Sequence, residues 1–333
     1  MVFGTTPQNW PLTRLTPWYN GPYGIAGADA PLGVRTEGRP VVIYVDDTHP
    51  RANDNNWGTD PLWPKATVQS AVDSIFLVQG SVIAVAAEAT IAESVLVGAT
   101  RPEQCTIMGL GNPCRGPTWT SAAAAQNCLE LRAAGWMIRN IRFQPNTLAA
   151  GIYLARAADD SYAAHHTVIE DCDFDGRWSG LYGIHTYGNP SQVYVLHNRF
   201  HEMHNGGQTA GGIYLDQAPV ANPFMWIVKD NIFWEEDNHI FLDDNTCGAN
   251  GCLFKGNSFF LGVNIPAVTM IDMRGGTLGG NVFVENFFGG DYSHTGGYWE
   301  NALNPGSWIG NVAEDIAEPE VGDNGFTISV PLA

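Results

Sequence analysis

Two acids occupy matching places in two similar segments, Asp216 in GIYLDQ (212–217) and Asp243 in HIFLDD (239–244). Side chains alternate faces along a strand, so Ile213 and Leu215 point one way and Tyr214 and Asp216 the other. Four further segments align with these: CLELRA (128–133), GIYLAR (151–156), GIHTYG (183–188) and MIDMRG (270–275). Their third positions form a column of Glu130, Tyr153, His185, Tyr214, Phe241 and Asp272, and their fifth a column of Arg132, Ala155, Tyr187, Asp216, Asp243 and Arg274. One chemistry for such a face is carbohydrate recognition, with Tyr153, Tyr187, Tyr214 and Phe241 stacking on sugar rings. Asp216 and Asp243 one layer apart would repel, leaving one protonated acid beside one carboxylate. A separation near ~5 Å is that of retaining glycosidases. For an elimination or epimerisation, Arg274 or His185 would take the proton α to a uronate carboxylate. The same columns read equally well as a protein contact, where aromatic residues and Arg are enriched, and that reading carries more weight here.

Other clusters are weaker. The loop DDTHPRANDNNWGTD (46–60) offers Asp46, Asp47, Asn53, Asp54 and Asp60 as oxygen ligands for Ca²⁺, but without EF-hand spacing it reads first as a loop of Asx turns. WEEDNHIFLDDN (234–245) gathers Glu235, Glu236, Asp237, Asp243 and Asp244, as expected of a solvated loop. His165, His166, His201 and His204 lack a third ligand at metal-site spacing, and the cysteines form no C-x-x-C pair, so no metal or other cofactor is expected. Cys247 and Cys252 flank the turn GANG and are candidates for a short disulfide, while Cys128 and Cys172 sit in strand-like segments as buried thiols.

The positioning elements are visible as repeats, which are sought before other features. MIRNIRF (137–143), VIEDCDF (168–174), VLHNRF (195–200), VKDNIF (228–233), FKGNSF (254–259), LGGNVF (278–283) and WIGNVA (308–313) share one ending, at steps of 24 to 33 residues. Five of them place an Asn (198, 231, 257, 281 and 311) two residues before the last position. Interleaved with the first family, these repeats predict two short strands per turn of an all-β parallel β-helix. Like residues would then stack about 4.8 Å apart, the asparagines as a buried amide ladder and the phenylalanines as core.

Composition agrees with an all-β reading. The 333 residues include 38 Gly, 20 Pro, 11 Trp, 11 Tyr and 15 Phe, with only 15% charged residues. The net charge of −18, with Lys65, Lys229 and Lys255 the only lysines, opposes binding to nucleic acid or anionic membrane. The first residues lack a basic then apolar export signal, and no apolar run approaches the ~20 residues of a membrane span.

Residues 43–110, with IYVDDTHPRANDNNWGTDPLWPKATVQSAV, GSVIAVAAEATIAESVLV and CTIMGLGN, resemble the opening of right-handed parallel β-helix proteins of the pectate-lyase-like superfamily. The resemblance extends over roughly residues 40–315. It implies a capping helix, here at ATVQSAVDSIFLV with Val68, Val72 and Ile75 at helical spacing and Thr67 as N-cap. The superfamily holds lyases, hydrolases, epimerases, phage tailspikes and plain virion proteins, so it implies fold more than activity.

Four regions are expected: an extended arm (1–40), an opening strand with loop and capping helix (41–80), the solenoid (81–313) and a C-terminal cap or tail (314–333). The arm carries Trp10, Trp18, Tyr19 and Tyr23, residues suited to embracing neighbouring subunits. The functional expectation is a structural virion subunit, of a bacteriophage head-decoration or tail-associated type, located in the particle. Its partners would be other virion subunits in a homo-oligomer, a trimer by family analogy. The alternative is a polysaccharide lyase or glycoside hydrolase, secreted, acting around Asp216 and Asp243.

Overall fold

A computed structural model of the chain describes residues 39–111, 116–155, 164–188, 190–204, 210–216, 224–234, 238–242, 250–260, 271–272, 280–289, 299–300 and 307–313. Short strands wind into three all-parallel sheets of ten, nine and eight strands, and each strand pairs with its counterpart one coil away. The first sheet runs from Val42–Val45 to Ser307–Ile309, the second from Thr90–Ala92 to Val312–Ala313, the third from Val95–Val97 to Trp299–Glu300. The expected parallel solenoid is therefore present, with a correction. Each coil holds three strands rather than two, because each of the first five segments ending in Phe contains one strand of the first sheet and one of the second.

The joint between those two strands is only two residues long. Its first residue takes the left-handed conformation in coil after coil: Asn140, Asp171, His197, Asp230, Gly256, Glu285 and Gly310 have φ between +54° and +64°. A non-glycine residue there costs roughly 1–2 kcal/mol, with Asn and Asp best tolerated. The second joint residue points inward, and from the third of these coils onward it is asparagine. Asn198, Asn231, Asn257, Asn286 and Asn311 are buried and linked side chain to side chain, Nδ2 donating to the next Oδ1 at 3.1, 3.0, 3.0 and 2.9 Å. Each Nδ2 also donates to a main-chain oxygen of the preceding coil, of Ile169, Val195, Val228, Phe254 and Phe283.

Asn281, expected in this ladder, is elsewhere. Its Oδ1 accepts from the Cys252 amide where the chain enters the first sheet, and Asn286 holds the ladder position. Phe283 accordingly stacks on Phe254 in the first sheet, and Phe288 is the residue that stacks on Phe259 in the second. The second-sheet stack runs through Trp119, Phe143, Phe174, Phe200, Phe233, Phe259 and Phe288, with successive centroids 4.7 to 5.4 Å apart. All seven rings are fully buried. Aromatic pairs at this spacing add about 0.5–1.5 kcal/mol beyond the area they bury.

The capping helix is a single short turn-and-a-half, Val68–Val72, packed on the strands Val42–Val45, Val82–Val85 and Val95–Val97. Thr67 is its N-cap as expected, accepting from the Ser70 amide, and the Glu93 carboxylate takes the amides of Val68 and Gln69 at 2.8 and 3.0 Å. Val68, Ala71 and Val72 are buried, but Ile75 lies beyond the helix and is exposed, so it is not part of the buried face. The helix ends at Asp73, its C-cap, whose amide donates to the carbonyls of Gln69 and Ala71. No helix among the described residues is long and apolar enough to cross a membrane.

Candidate functional site

The column read from the third-sheet strands is in register. Glu130, Tyr153, His185, Tyr214, Phe241 and Asp272 are successive backbone partners, and Tyr187 pairs with Asp216. The described aromatic side chains of the column, Tyr153, His185 and Tyr214, do not form an open shelf. Tyr214 is only 8% exposed, stacked face to face on Tyr182 at 4.3 Å in a small cluster with Ala150. His185 lies between Tyr153 and Tyr214 at 4.7 and 4.8 Å. The Tyr182–Tyr214 stack covers ring faces that a sugar would need, while His185 packs at a tilt on Tyr153 and Tyr214; Tyr187 alone of the described tyrosines in the column pair stands exposed. Of Asp216, Phe241 and Asp272 the backbone is described; Asp243, Arg274, the arm residues Trp10, Trp18, Tyr19 and Tyr23, and Cys247 lie outside the described residues. Cys252 is described and is a buried thiol with its Sγ on the Asn250 carbonyl, so the expected Cys247–Cys252 disulfide is not formed.

The loop offered for Ca²⁺ is committed to its own turns. Asp46, Asn53 and Asp60 each accept from an amide two residues on, Asp47 from the Thr90 amide, and Asp54 from the amides of Ala66 and Thr67 and the Thr67 hydroxyl. The five side chains thus face different donors and do not converge on one point. Cys105, Cys128 and Cys172 are buried thiols, and burial pushes those of Cys105 and Cys172 up to about 12.

A different constellation lies on the outer face of the second sheet. Because the middle residue of each strand enters the Phe stack, its two neighbours point out: Arg142 and Gln144, Asp173 and Asp175, Arg199 and His201, Ile232 and Trp234, Ser258 and Phe260. Parallel register aligns them coil upon coil. His201 Nε2 lies 3.1 Å from Asp173 Oδ1, and the Arg142 guanidinium grips Asp175. Gln144 Nε2 donates to the same Asp175 oxygen at 2.8 Å, and the Arg177 amide to the other at 3.1 Å. Arg142 Nε and Arg199 Nε stand 3.5 and 3.9 Å from Asp173. Beyond this charged zone, Arg199, His201, Ile232, Trp234 and Phe260 line a cleft of about 350 Å³ over Phe200. Trp234 and Ile232 are each 43% exposed.

The sequence offers DCDF and NRFH as core endings, and His201 as a histidine without a third ligand at metal-site spacing. The signal was present in the residues flanking each inward Phe, charged or amide-bearing in three consecutive coils, but it is legible only once the Phe is known to occupy the centre of its own strand.

Burial on its own would raise the Asp175 carboxyl. The Gln144 hydrogen bond, His201 and the Arg142 guanidinium outweigh it and hold this acid below the usual carboxylate range. A depressed folded-state value contributes stability that is present above the unfolded value, about 3.9, and lost as pH falls through the folded one. Urea midpoints measured between about pH 5 and pH 2.5 are therefore expected to fall more steeply for the native chain than for Asp175→Asn.

An all-β solenoid with a charged face grading into an aromatic cleft defines a parallel β-helix protein. The chain belongs to the family described as the right handed beta helix region, whose model matches residues 127–303, more than half of the sequence. No curated protein matches it. Among solved structures it is similar to the PL6 family alginate lyase AlyGC, at 15% identity and a TM-score of 0.45, over 82% of this chain and 38% of that one. It is also similar to an alginate lyase from Paenibacillus sp. str. FPU-7 (14% identity, TM-score 0.41, 74% of this chain and 95% of that one). A third is the Dettilon tailspike protein (13% identity, TM-score 0.39, 70% and 55%). This chain spans well under half the length of the first of these.

Proposed function

We propose that the protein binds a polysaccharide along the outer face of the second sheet, with the chain lying in the cleft between Arg199 and Phe260. The observation that carries this reading is the cleft itself: an indole 43% exposed beside a phenyl ring and a half-exposed guanidinium, next to the charged zone of the same strand face. An aromatic face stacks on a sugar ring, and Arg199 would pair with the carboxylate of an acidic unit. Asp173 and Asp175 are each already matched to a cation or amide, an arrangement suited to recognition before proton transfer. Cleavage of the bound glycan, by lyase or hydrolase chemistry, is the extension of this reading.

Affinity electrophoresis and calorimetry against neutral and uronate-bearing polysaccharides test it. Trp234→Ala is expected to weaken binding at least about tenfold, as the loss of about 1.4 kcal/mol would, and Arg199→Ala to weaken binding of acidic glycans only. Binding indifferent to Trp234→Ala would overturn the assignment.

The second reading, a virion subunit assembling with copies of itself, has its own observation. Trp57, Leu62, Trp63 and Ile75 are all at least half exposed at the opening end of the solenoid, next to the point where residues 1–38 join. Light scattering of the full chain tests it: a trimer that Trp57→Ser with Trp63→Ser dissociates supports this reading, and a monomer opposes it. A particle location follows from this reading, and a secreted one from glycan binding alone.

A further inference from the structure

His201 has two ring nitrogens in very different situations. Nε2 faces a carboxylate oxygen of Asp173 at 3.1 Å, and a carboxylate can only accept, so Nε2 carries the proton. Nδ1 is buried and has no hydrogen-bond partner among the described residues, although the residue as a whole is only 9% exposed. It faces Asp175 Oδ1 at 3.9 Å, too far for a hydrogen bond. A Glu202 carboxylate oxygen completes the group, and the three donor atoms all lie within 4.8 Å of one another. A buried imidazole nitrogen without a hydrogen-bond partner, set beside two carboxylates, is a place for a cation to stand.

From this geometry we propose that Asp175, His201 and Glu202 bind one divalent transition-metal ion of the zinc type. One imidazole nitrogen with two carboxylate oxygens is a zinc donor set, whose bonds of about 2.0–2.2 Å need the three atoms to close by only a few tenths of an ångström to about an ångström. Asp173 then plays the part of the carboxylate that orients a metal-bound histidine through its other nitrogen. Arg142 and Gln144 hold the far oxygen of Asp175 and leave Oδ1 turned toward His201. The carboxylates of Asp173, Asp175 and Glu202 outnumber the guanidiniums of Arg142 and Arg199, so the pocket attracts a cation.

The backbone also sets Glu202 in place. It has φ +59°, its carbonyl accepts from the Trp178 amide at 3.0 Å, and Gly176 sits so near that a Cβ there would lie 2.3 Å from the Glu202 oxygen. The other compact group, Glu170, Asp171 and His197, differs in its histidine, which is half exposed and lies 3.7 and 3.5 Å from Glu170 and Asp230. Three protein ligands leave a coordination position open, as in zinc sites that act on a ligand rather than hold a fold. The inference stands apart from glycan binding and is measured without any glycan.

The full chain, stripped with a chelator, is titrated calorimetrically with zinc chloride, and separately with Co²⁺ while visible absorption is followed. One ion per chain is expected. Glu202→Gln, at a half-buried position, should lower affinity at least about tenfold with unchanged circular dichroism, and Asp173→Asn by about 10- to 100-fold. Nitrogen NMR of the zinc-loaded protein should show His201 Nδ1 without a proton. No stoichiometric binding, equal affinity in Glu202→Gln, or a protonated Nδ1 in the loaded protein would each overturn the site, and calcium displacing zinc at equal concentration would overturn the choice of metal.

Discussion

Asn257→Ala is expected to be the most damaging single change at the joint between the first two sheets, lowering stability by about 2–6 kcal/mol. In the native chain Asn257 Oδ1 accepts both from the Asn231 amide and from Asn231 Nδ2, each at 3.0 Å, and Asn257 is fully buried. Removing that oxygen orphans two buried donors, each worth about 1–3 kcal/mol. The lost Asn257 Nδ2 also leaves Val228 O and Asn286 Oδ1 with one donor fewer. Asn257→Asp keeps the acceptor but places a charge in the ladder, and is expected to be no better near neutral pH. Because a solenoid's stability is close to a sum over neighbouring coils, the damage should be local. Amide hydrogen exchange should speed first in strands 227–229 and 253–255, which flank the change in the first sheet. Unaltered thermal melting would contradict a ladder of satisfied amides.

Phe200→Ala is expected to cost about 3–5 kcal/mol, the range for emptying a buried phenyl site. Phe200 is fully buried and stacked on both sides, with Phe174 and Phe233 each 4.7 Å away and nearly parallel. Relaxation is hindered on its open flank, where Gly183 brings the third sheet so close that a Cβ would meet the Phe200 ring at 2.6 Å. Since Phe200 also floors the cleft under Arg199 and His201, the substitution should weaken ligand binding at that face as well as the fold. Phe200→Leu separates the effects, retaining most of the volume and so most of the stability. Guanidinium unfolding of the three proteins, followed by Trp fluorescence, measures the difference; equal midpoints for Ala and Leu would show that the stack contributes little.

The period of the solenoid was legible because each inward residue is chosen locally: an apolar side chain must recur at every coil, whatever the loops between do. Phe174, Phe200, Phe233 and Phe259, and Ile152, Ile184 and Ile213, could be aligned on that ground alone. The three-strand coil was not legible, since the left-handed joint residue is Asn, Asp, His, Glu or Gly by turns and has no common identity. For the same reason Asn281 and Asn286 could be exchanged: both precede a Val or Phe pair, and only the sheet each enters separates them.

By itself, then, the amino-acid sequence determined an all-β parallel solenoid, its register in the third sheet, its buried aromatic and amide columns and a capping Thr67. The tertiary structure decided which outward residues are available. Tyr214 is covered by Tyr182, whereas Trp234 is exposed, and His201 meets Asp173, Asp175 and Glu202. Accessibility and ligand geometry depend on neighbours one coil away, some 24 to 33 residues distant in the chain. Their relative placement is set by the joints and loops between coils, whose conformations the local pattern does not encode.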